Sequence, residues 1–374
     1  MKKVLFMLIN MNIGGTEKAL LNMLEEMPQE EYEVTLLLLE EYGGFLSEIP
    51  KYVKVQYLEN FNHINQLLNQ PTQKIGLELI KQRQYIQGIK LIWIYFLTKF
   101  MGEKSLLFKS VLSDYPTLEE QYDVAVAYAG PMDFITYFID HKVKASLKVQ
   151  WIHFDITKIG FNKKFAKKYY KKFDRVFVVS NQGREKLIQL VPSIAARTET
   201  FLNRVSAKHV EEQGAMGKGF HDDFDGVRLL TVGRLSEEKG QDLCIEACKR
   251  LKEEGYKIRW YCVGEGSYRA QCEKLIHKYE LEKEFILLGC KSNPYPYMQN
   301  CNLYVQSSRH EGYCITLAEA KVFNKPIVTT DFTGAREQIV DGENGVIVEV
   351  KAEEIYKGIK QILNGTVTFK KEVG

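Results

Sequence analysis

Residues 227–240, VRLLTVGRLSEEKG, decide the fold. The apolar run at residues 227–232 predicts a short buried strand, and the glycine-bearing loop after it puts Arg234 and Lys239 at the carboxyl end of that strand. Two cations on such a loop suit a diphosphate, although basic loops are also common on solvated surfaces. The stretch therefore predicts an anion site at a sheet edge, with plain surface as the alternative.

Strands and helices alternate on the carboxyl side of this stretch. The pattern of apolar residues predicts helices at residues 241–253, 268–279, 313–323 and 352–363, and strands at residues 258–263, 285–288, 303–306 and 326–330. Such alternation is typical of an α/β domain with a parallel sheet.

The same alternation begins at the amino terminus. An apolar run at residues 4–9 precedes Gly14 and Gly15, and residues 16–27 carry apolar side chains at helical spacing. A second run at residues 34–39 completes a βαβ unit, which implies a parallel sheet buried on both faces. Further strands are predicted at residues 124–128, 149–153 and 175–179.

The length of 374 residues favours two domains over one. The polar stretch at residues 206–226 interrupts the alternation and is the candidate linker. We therefore predict an amino-terminal domain at residues 1–205 and a carboxy-terminal domain at residues 206–374, whose last helix can pack back on the first. Two doubly wound, Rossmann-like domains facing each other would bind a ligand in the cleft between them.

Composition excludes several classes of protein. A hydrophobic fraction of 45% and a charged fraction of 26% argue against a disordered or fibrous chain. The seven cysteines lack CxxC spacing, which argues against zinc and redox sites and indicates buried thiols in a reduced, cytoplasmic protein. The amino terminus is interpreted as a first strand and not as a signal peptide. The longest apolar stretch, residues 91–97, is too short to span a bilayer.

Two carboxylates stand out in the segment SSRHEGYCITLAEA. Glu311 precedes a helix expected to begin near Gly312, and Glu319 lies within that helix. Eight residues turn a helix by about 80°, so the two carboxylates are expected to contact different parts of one ligand. The backbone N–H groups from Gly312 to Thr316 could hold phosphate oxygens. The alternative for Glu319 is a helix charge that faces solvent.

These motifs together resemble a known family. GRLSEEKG, the spacing from Glu311 to Glu319, PIVTTD and REQIVDGENGVIV look like the donor domain of glycosyltransferase family 4, and GGTEKALLNML is similar to its first domain. The resemblance implies the GT-B architecture, a retaining reaction and a nucleotide-sugar donor, most often a UDP-sugar. It covers nearly the whole chain, although residues 60–118 contain no motif that can be assigned.

The resemblance also implies roles for individual residues. Arg234 and Lys239 would neutralise the donor diphosphate, while Glu311 would bind sugar hydroxyls and Glu319 the ribose. Gly15 matches the glycine that lets the backbone approach the diphosphate. The remaining residues implied to bind the donor are Gly312, Tyr313, Cys314 and Ile315.

His153, in the segment WIHFD, matches the active-site histidine of the family on the acceptor side, and Asp155 is a weaker match. A lone histidine after an apolar run is more often structural. The triplet Asp223-Phe224-Asp225 fits the metal-binding DxD pattern literally, but it precedes a strand instead of following one. Because two cations already serve the diphosphate, we predict neither a metal nor another cofactor.

Positive charge is concentrated at residues 141–175, with eleven Lys and Arg against two Asp. Within this segment, FNKKFAKKYYKKF combines six lysines with aromatic residues every fourth position and predicts a basic amphipathic helix. A peripheral contact with anionic membrane is the functional interpretation, and the apolar residues of segment 86–108 could add to it. The alternative is a solvated helix whose aromatic residues face the core. Nucleic acid is not expected, because no recognised module is present.

Together these features predict a retaining glycosyltransferase. It would move a sugar from a nucleotide diphosphate donor to a glycan or lipid-linked acceptor at the cytoplasmic face of the membrane. A nucleotide-sugar epimerase of the same fold and a catalytically silent sugar-binding subunit are the alternatives. The sequence offers no nucleophile for a covalent intermediate, so the path of displacement stays open.

Overall fold

The computed structural model describes residues 1–367 and divides the chain into two compact units. The first unit comprises Met1–Val179 and Gly183–Phe201, and the second comprises Ser180–Gln182 and the chain from Leu202 onward. The predicted domain boundary at residues 205–206 falls just after this division. The last part of the predicted second domain, residues 368–374, lies outside the described residues.

The first unit is built on seven parallel strands in the order β3-β2-β1-β4-β5-β6-β7. The strands are β1 (Lys2–Leu8), β2 (Tyr32–Leu38), β3 (Lys54–Tyr57), β4 (Gln121–Gly130), β5 (Lys144–Ile152), β6 (Arg175–Val178) and β7 (Thr198–Thr200). Continuous apolar runs such as Val4 to Leu8 are buried, as expected where helices cover both faces of a parallel sheet.

Eight helices connect these strands or extend from them. They are α1 (Gly15–Glu26), α2 (Phe61–Asn69), α3 (Thr72–Lys81), α4 (Tyr85–Met101), α5 (Ser105–Val111), α6 (Asp133–Lys142), α7 (Lys163–Tyr169) and α8 (Asn181–Leu190). Four of them, α2 to α5, occupy residues 61–111, the part of the chain in which sequence motifs are lacking. The ring of Phe108 on α5 packs at 5.8 Å from Phe134 and 6.0 Å from Phe165, which ties these helices to the core beside the sheet.

The second unit is built on six parallel strands in the order β10-β9-β8-β11-β12-β13. The strands are β8 (Val227–Val232), β9 (Ile258–Val263), β10 (Phe285–Gly289), β11 (Leu303–Gln306), β12 (Ile327–Thr330) and β13 (Val346–Val348). The helices are α9 (Ala207–Ala215), α10 (Gln241–Glu253), α11 (Arg269–Lys278), α12 (Tyr295–Asn300), α13 (Ile315–Lys321), α14 (Ala335–Gln338) and α15 (Ala352–Leu363).

The two sheets confirm the predicted fold class, two doubly wound α/β units. In each sheet the chain leaves the central strand in one direction and later returns on its other side, between β1 and β4 in the first unit and between β8 and β11 in the second. The carboxyl ends of the two strands at such a switch point diverge and leave a crevice for a ligand. Each unit therefore has one preferred position for a site.

One predicted feature of the second unit, the linker, differs from the structure. The candidate linker at residues 206–226 contains helix α9. The Ser206 side chain caps this helix by accepting a hydrogen bond from a backbone N–H group of its first turn, and the helix packs on α12 through the buried Val210. One buried side chain among polar neighbours gives little periodic signal. Helix α15 packs on α10 and strands β12 and β13 of its own unit.

Candidate functional site

The switch point of the second sheet brings two loops together. Strands β8 and β11 pair directly, so the loop at residues 233–240 and the loop at residues 307–314 leave the same edge side by side. The Arg309 guanidinium donates to both carboxylate oxygens of Asp242 at 2.8 and 2.6 Å, which joins the second loop to α10. Ser307 Oγ donates to the Lys239 carbonyl at 2.8 Å. The loops are thus held in a fixed relation.

Glycines make this close approach possible. Gly240 has a φ of +68°, and a Cβ on it would lie 2.2 Å from the Ser307 carbonyl oxygen. The loop after β9 comes equally close, since a Cβ on Gly264 would lie 1.9 Å from the Gly233 oxygen. Larger residues at Gly240 and Gly264 would push the loops apart, so these glycines set the shape of the crevice.

Lys239 and Glu311 form an ion pair between the two loops. Lys239 Nζ donates to Glu311 Oε1 at 2.5 Å, and only 20% and 12% of the two side chains are exposed. Burial is the largest single influence on the pKa of Lys239 and lowers it, but the Glu311 charge, the nearby Cys314 and the hydrogen bond to Glu311 together raise the pKa above its ordinary value. The ammonium therefore stays charged at neutral pH. Both residues were predicted from the sequence, but nothing in the sequence indicated that they contact each other.

A line of polar groups leads from the sheet to this pair. Tyr304 donates to Gln306 Oε1 at 2.9 Å, the Gln306 amide donates to Ser308 Oγ at 2.8 Å, and Ser308 donates to Glu311 Oε1 at 2.7 Å. All three residues are buried. Such a satisfied network fixes the carboxylate in one orientation. The sequence analysis missed these residues, although a glutamine that ends the buried strand LYVQ is a detectable signal.

Arg234 lies on the same loop as Lys239 but is more open. Its side chain is 56% exposed, and it donates to Glu238 one helical turn later at 3.3 Å. An exposed pair of this kind contributes little to stability and breaks easily. The Arg234 guanidinium is therefore accessible to an anionic ligand.

Glu319 has a separate environment on α13. Its side chain is 3% exposed, and Tyr295 of α12 donates to its Oε1 at 2.9 Å. The solvated-helix alternative is therefore wrong for Glu319. Glu311 and Glu319 have different hydrogen-bond partners, in line with the expectation that they do not form a close carboxylate pair.

The helix after Glu311 begins later than predicted. Helix α13 starts at Ile315, and Gly312, Tyr313 and Cys314 belong to the preceding loop. Cys314 ends that loop with a φ of +67°, a left-handed conformation that few residues other than glycine adopt. Burial raises the pKa of its thiol to about 12, so the thiol stays protonated. The apolar pattern continues through the loop, which explains the early prediction.

Gly15 lies at the switch point of the first sheet. It is the first residue of α1, and Gly14 before it has the extended conformation of a helix cap. Helix α1 follows β1, so its first N–H groups lie at the carboxyl edge of the sheet. This is the position that the resemblance requires of Gly15, and its role in binding stays a prediction.

His153 directly follows β5 and is buried, with 6% of its surface exposed. Burial lowers the pKa of its imidazole to about 3, an effect that the nearby Tyr128 backbone only partly opposes. Among residues 1–367, neither ring nitrogen has a hydrogen-bond partner of normal geometry. A neutral imidazole with two unused nitrogens is unusual for a purely structural histidine, because buried polar atoms are normally satisfied.

Asp155 and the DxD triplet have structural partners. Asp155 is buried and accepts from Lys186 Nζ at 2.7 Å. Asp225 is fully exposed and pairs with Lys257 at 3.1 Å, away from the crevice. Within the described part of the chain, no group of three or more His, Cys, Asp and Glu side chains could hold a metal ion. Metal independence itself stays a prediction.

The lysine-bearing segment buries its aromatic side chains and exposes its lysines. Phe165, Tyr169 and Phe173 are buried in the core of the first unit, whereas the six lysines at residues 163–172 are exposed. The aromatic residues are therefore structural, as the solvated-helix alternative expects. Three of the exposed lysines have partners in the first unit: Lys164 donates to the Met101 carbonyl, and Lys168 and Lys172 pair with Glu103 and Asp140. Within residues 1–367, no helix has the length and apolar character that crossing a bilayer requires.

Comparison with known proteins supports the sequence interpretation. The family described as "Glycosyl transferases group 1" matches residues 223–372. The N-acetylgalactosamine-N,N'-diacetylbacillosaminyl-diphospho-undecaprenol 4-alpha-N-acetylgalactosaminyltransferase of Campylobacter jejuni is 31% identical over 204 residues, 54% of each chain. The alpha-D-kanosaminyltransferase of Streptomyces kanamyceticus is 30% identical over 36% of each chain. The chain thus spans about half or less of the length of these curated relatives.

Solved structures extend the likeness in fold to both units. The structure of Anabaena HepE in complex with UDP and glucose has a TM-score of 0.68 at 17% identity, covering 98% of this chain and 91% of that one. TarM has a TM-score of 0.66 at 15% identity, covering 98% and 92%. At such identities the likeness concerns the fold alone. The family match, the relatives and the fold confirm the resemblance: residues 223–372 are similar to the group 1 glycosyl transferases, and both units share the fold of the solved structures.

Proposed function

We propose that the protein is a retaining glycosyltransferase that moves a sugar from a UDP-sugar to a glycan or lipid-linked acceptor at the cytoplasmic membrane face. The observation that carries the proposal is the Lys239–Glu311 pair at the switch point of the second sheet, with the accessible Arg234 on the same loop. Charged groups that are preorganised beside a crevice can stabilise charge that develops during a reaction.

The chemistry follows from what leaves the sugar. Breaking the bond between the anomeric carbon and the diphosphate builds negative charge on the departing phosphate oxygens. Lys239 and Arg234 supply two positive charges, and the raised pKa of Lys239 keeps the first of them charged at neutral pH. Stabilisation that grows as the bond breaks lowers the barrier more than it tightens ground-state binding.

The carboxylates would orient the donor. Glu311 is held by Ser308 and Lys239, and it can exchange part of this contact for sugar hydroxyls when the donor phosphates approach Lys239. Glu319 lies deeper, on α13, where it is proposed to bind the ribose. His153 and Gly15 belong to the first unit and are proposed to serve the acceptor and the diphosphate, respectively.

The comparisons favour the donor and acceptor classes. Structures of HepE contain UDP, UDP-glucose, or UDP with glucose. The Campylobacter relative is named for an acceptor linked to diphospho-undecaprenol, a membrane lipid carrier, and its product linkage is α. UDP-glucose and its common relatives carry their sugar in α linkage, so formation of an α product from such a donor is a retaining transfer.

The alternatives make different demands. A nucleotide-sugar epimerase would need no acceptor, and a silent sugar-binding subunit would have no need of the charged set Arg234, Lys239, Glu311 and Glu319. The presence of all four residues, and relatives that are named as transferases, favour transfer.

A donor screen tests the proposal directly. UDP-sugars should raise the melting temperature of the protein, because a ligand that binds only the folded state stabilises it by RT ln(1 + [L]/Kd). The Lys239→Ala variant should lose this stabilisation, while Lys257→Ala, which removes an exposed lysine of the same unit, should retain it. Transfer of label from the best donor to a lipid diphosphate-linked sugar should then be measured. Failure of every nucleotide sugar to stabilise the protein would overturn the proposal.

A further inference from the structure

Helix α4 exposes a row of large apolar side chains. Ile86, Trp93 and Phe100 are 86%, 63% and 88% exposed, and further exposed residues lie between them. The complete set is Tyr85, Ile86, Ile89, Trp93, Phe96, Leu97 and Phe100. Single exposed apolar residues are common on soluble proteins, but seven on one helix form a patch of the kind that marks an interaction surface.

These residues share one face of the helix. The positions 86, 89, 93, 96 and 100 follow each other at intervals of three and four, which is the repeat of a helical face. The opposite face carries Gly88, Leu91 and Ile94, which are buried within the unit. Helix α4 is thus apolar on both sides, and only one side is used for packing.

The buried side is fixed by a close helix contact. A Cβ on Gly76 of α3 would lie 2.8 Å from the Gly88 oxygen, and a Cβ on Gly88 would lie 2.6 Å from the Gly76 oxygen. The two backbones therefore touch at this pair of glycines. Packing that close holds α4 in one orientation and keeps the apolar row pointing outward.

Positive charge surrounds the apolar row. Residues 72–109, from α3 through α5, contain seven Lys and Arg residues against two Glu residues, and all seven cations are exposed. Lys90 and Lys99 lie on α4 itself. Long lysine side chains can keep their ammonium groups among anionic headgroups while the helix lies deeper.

The lysine-bearing helix α7 begins beside the end of α4. Lys164 Nζ donates to the Met101 carbonyl at 3.1 Å, and the Asn162 side chain donates to the Gly102 carbonyl at 3.0 Å. The exposed lysines of α7 therefore continue the basic surface around the apolar row. Two features that are separate in the sequence form one surface of the first unit.

We propose that this surface docks on an anionic lipid bilayer, with α4 lying in the interface and its row of Ile86, Ile89, Trp93, Phe96 and Phe100 entering the acyl region. Aromatic residues flanked by lysines are typical of membrane-interface helices. A second copy of the chain is disfavoured as the occupant because it would bring a like-charged surface against this one. The 17 residues of α4 span about 25 Å, too short for the ~30 Å hydrocarbon core, so the helix lies on the membrane.

The inference deepens the membrane location in the proposed function and rests on it, but lipid binding and donor binding can be measured separately. Trp93 is a natural reporter, because the other two tryptophans, Trp151 and Trp260, are buried. Vesicles with one third anionic lipid should shift the emission of Trp93 to the blue, and brominated acyl chains should quench it. Neutral vesicles should bind at least tenfold more weakly.

A variant with Ile86→Ser, Phe96→Ser and Phe100→Ser replaces three of the five residues of the row and keeps the reporter. We expect at least a tenfold loss of partitioning into anionic vesicles, with stabilisation by UDP-sugar unchanged. The control is Leu202→Ser with Met216→Ser, two exposed apolar residues outside the first unit, which should partition as the wild type does.

Unchanged partitioning of the triple variant would overturn the proposal. Trp93 emission that shifts with protein concentration in the absence of lipid, together with a doubled mass in light scattering, would overturn it in favour of a second copy. Failure of donor stabilisation with lipid binding intact would count against the proposed activity instead.

Discussion

Lys239 in the second unit and the lysines at residues 163–172 in the first unit show two uses of the same side chain. Lys239 is largely buried, held by Glu311 at 2.5 Å, and its orientation is set by a network that reaches into the sheet. The six lysines of the first unit are exposed on a helix whose aromatic residues are buried. A fixed cation can act at one atom of a ligand, whereas a group of exposed surface cations acts through its summed field.

The largest effect expected from this difference is on turnover. Lys239→Ala and Arg234→Ala should each lower kcat by ~100-fold or more, because under the proposed function each removes a charge that stabilises the departing diphosphate. Lys257→Ala, at an exposed ion pair of the same unit, is the control and should turn over normally. Normal turnover in both site variants, measured with an identified donor and acceptor, would break the comparison.

Burial predicts a second effect, on stability against pH. The pKa of His153 is about 3 in the folded chain and near 6.5 when unfolded, so between these values the unfolded chain binds more protons and folding weakens as pH falls. From pH 7 to pH 5 the wild type should lose on the order of 2 kcal/mol more than His153→Gln. Urea unfolding at both pH values measures this difference. The exposed His221, changed to Gln, is the control, and equal losses in wild type and His153→Gln would contradict the prediction.

The network behind Glu311 predicts a smaller effect. Ser308→Ala removes one of the hydrogen bonds that orient the carboxylate, and a bond of this kind is worth ~1 kcal/mol. We therefore expect a loss of about fivefold in kcat/KM, together with a lower melting temperature, because the buried Gln306 amide also loses its acceptor. Wild-type kinetics in this variant would show that Lys239 alone positions Glu311.

The exposed lysines should have a modest, salt-dependent effect. Lys163, Lys167 and Lys171 changed together to Gln should weaken binding to anionic vesicles a few-fold at 0.1 M salt, and the difference should vanish near 1 M, where the Debye length falls to ~3 Å. Transfer to a short soluble acceptor should not change. A loss of transfer to the soluble acceptor would show that these lysines take part in the reaction, as Lys239 is proposed to do, and would contradict the prediction.

The smallest effect concerns metal. Excess EDTA should leave turnover unchanged, because under the proposed function Arg234 and Lys239 supply the positive charge that a metal would otherwise provide. Dialysed protein assayed with and without Mg²⁺ or Mn²⁺ is the measurement. Loss of activity in EDTA and its recovery on addition of either ion would contradict the prediction.

The strands of the second unit were the easiest elements to predict. The predicted bounds of β8, β9 and β11 agree with the structure, because each is a compact apolar run with polar residues on both sides. Helix α13 was predicted two residues too early, since apolar periodicity does not detect the left-handed turn at Cys314. Residues 61–111 gave no assignment at all, because α4 is apolar on both faces and so lacks the contrast that reveals an amphipathic helix.

The candidate site was predicted as residue types and not as contacts. Family resemblance named Lys239 and Glu311, but their pairing depends on the adjacency of β8 and β11, which are separated by some seventy residues of chain. Periodicity likewise identified an aromatic stripe around Phe165 and could not say which side faced the core. Side-chain direction across distant segments is decided by packing, which one sequence does not contain.

The ion pair between Lys239 and Glu311 has a consequence for discrimination among anions. A simple phosphate ion that took Lys239 would leave Glu311 partly buried without its cation, and an unpaired buried charge is costly. A nucleotide sugar offers phosphate oxygens to the lysine and hydroxyl groups to the carboxylate at the same moment. Under the proposed function the pair thus favours a nucleotide sugar over a free phosphate ion. It also binds the nucleotide less tightly once the sugar has been transferred.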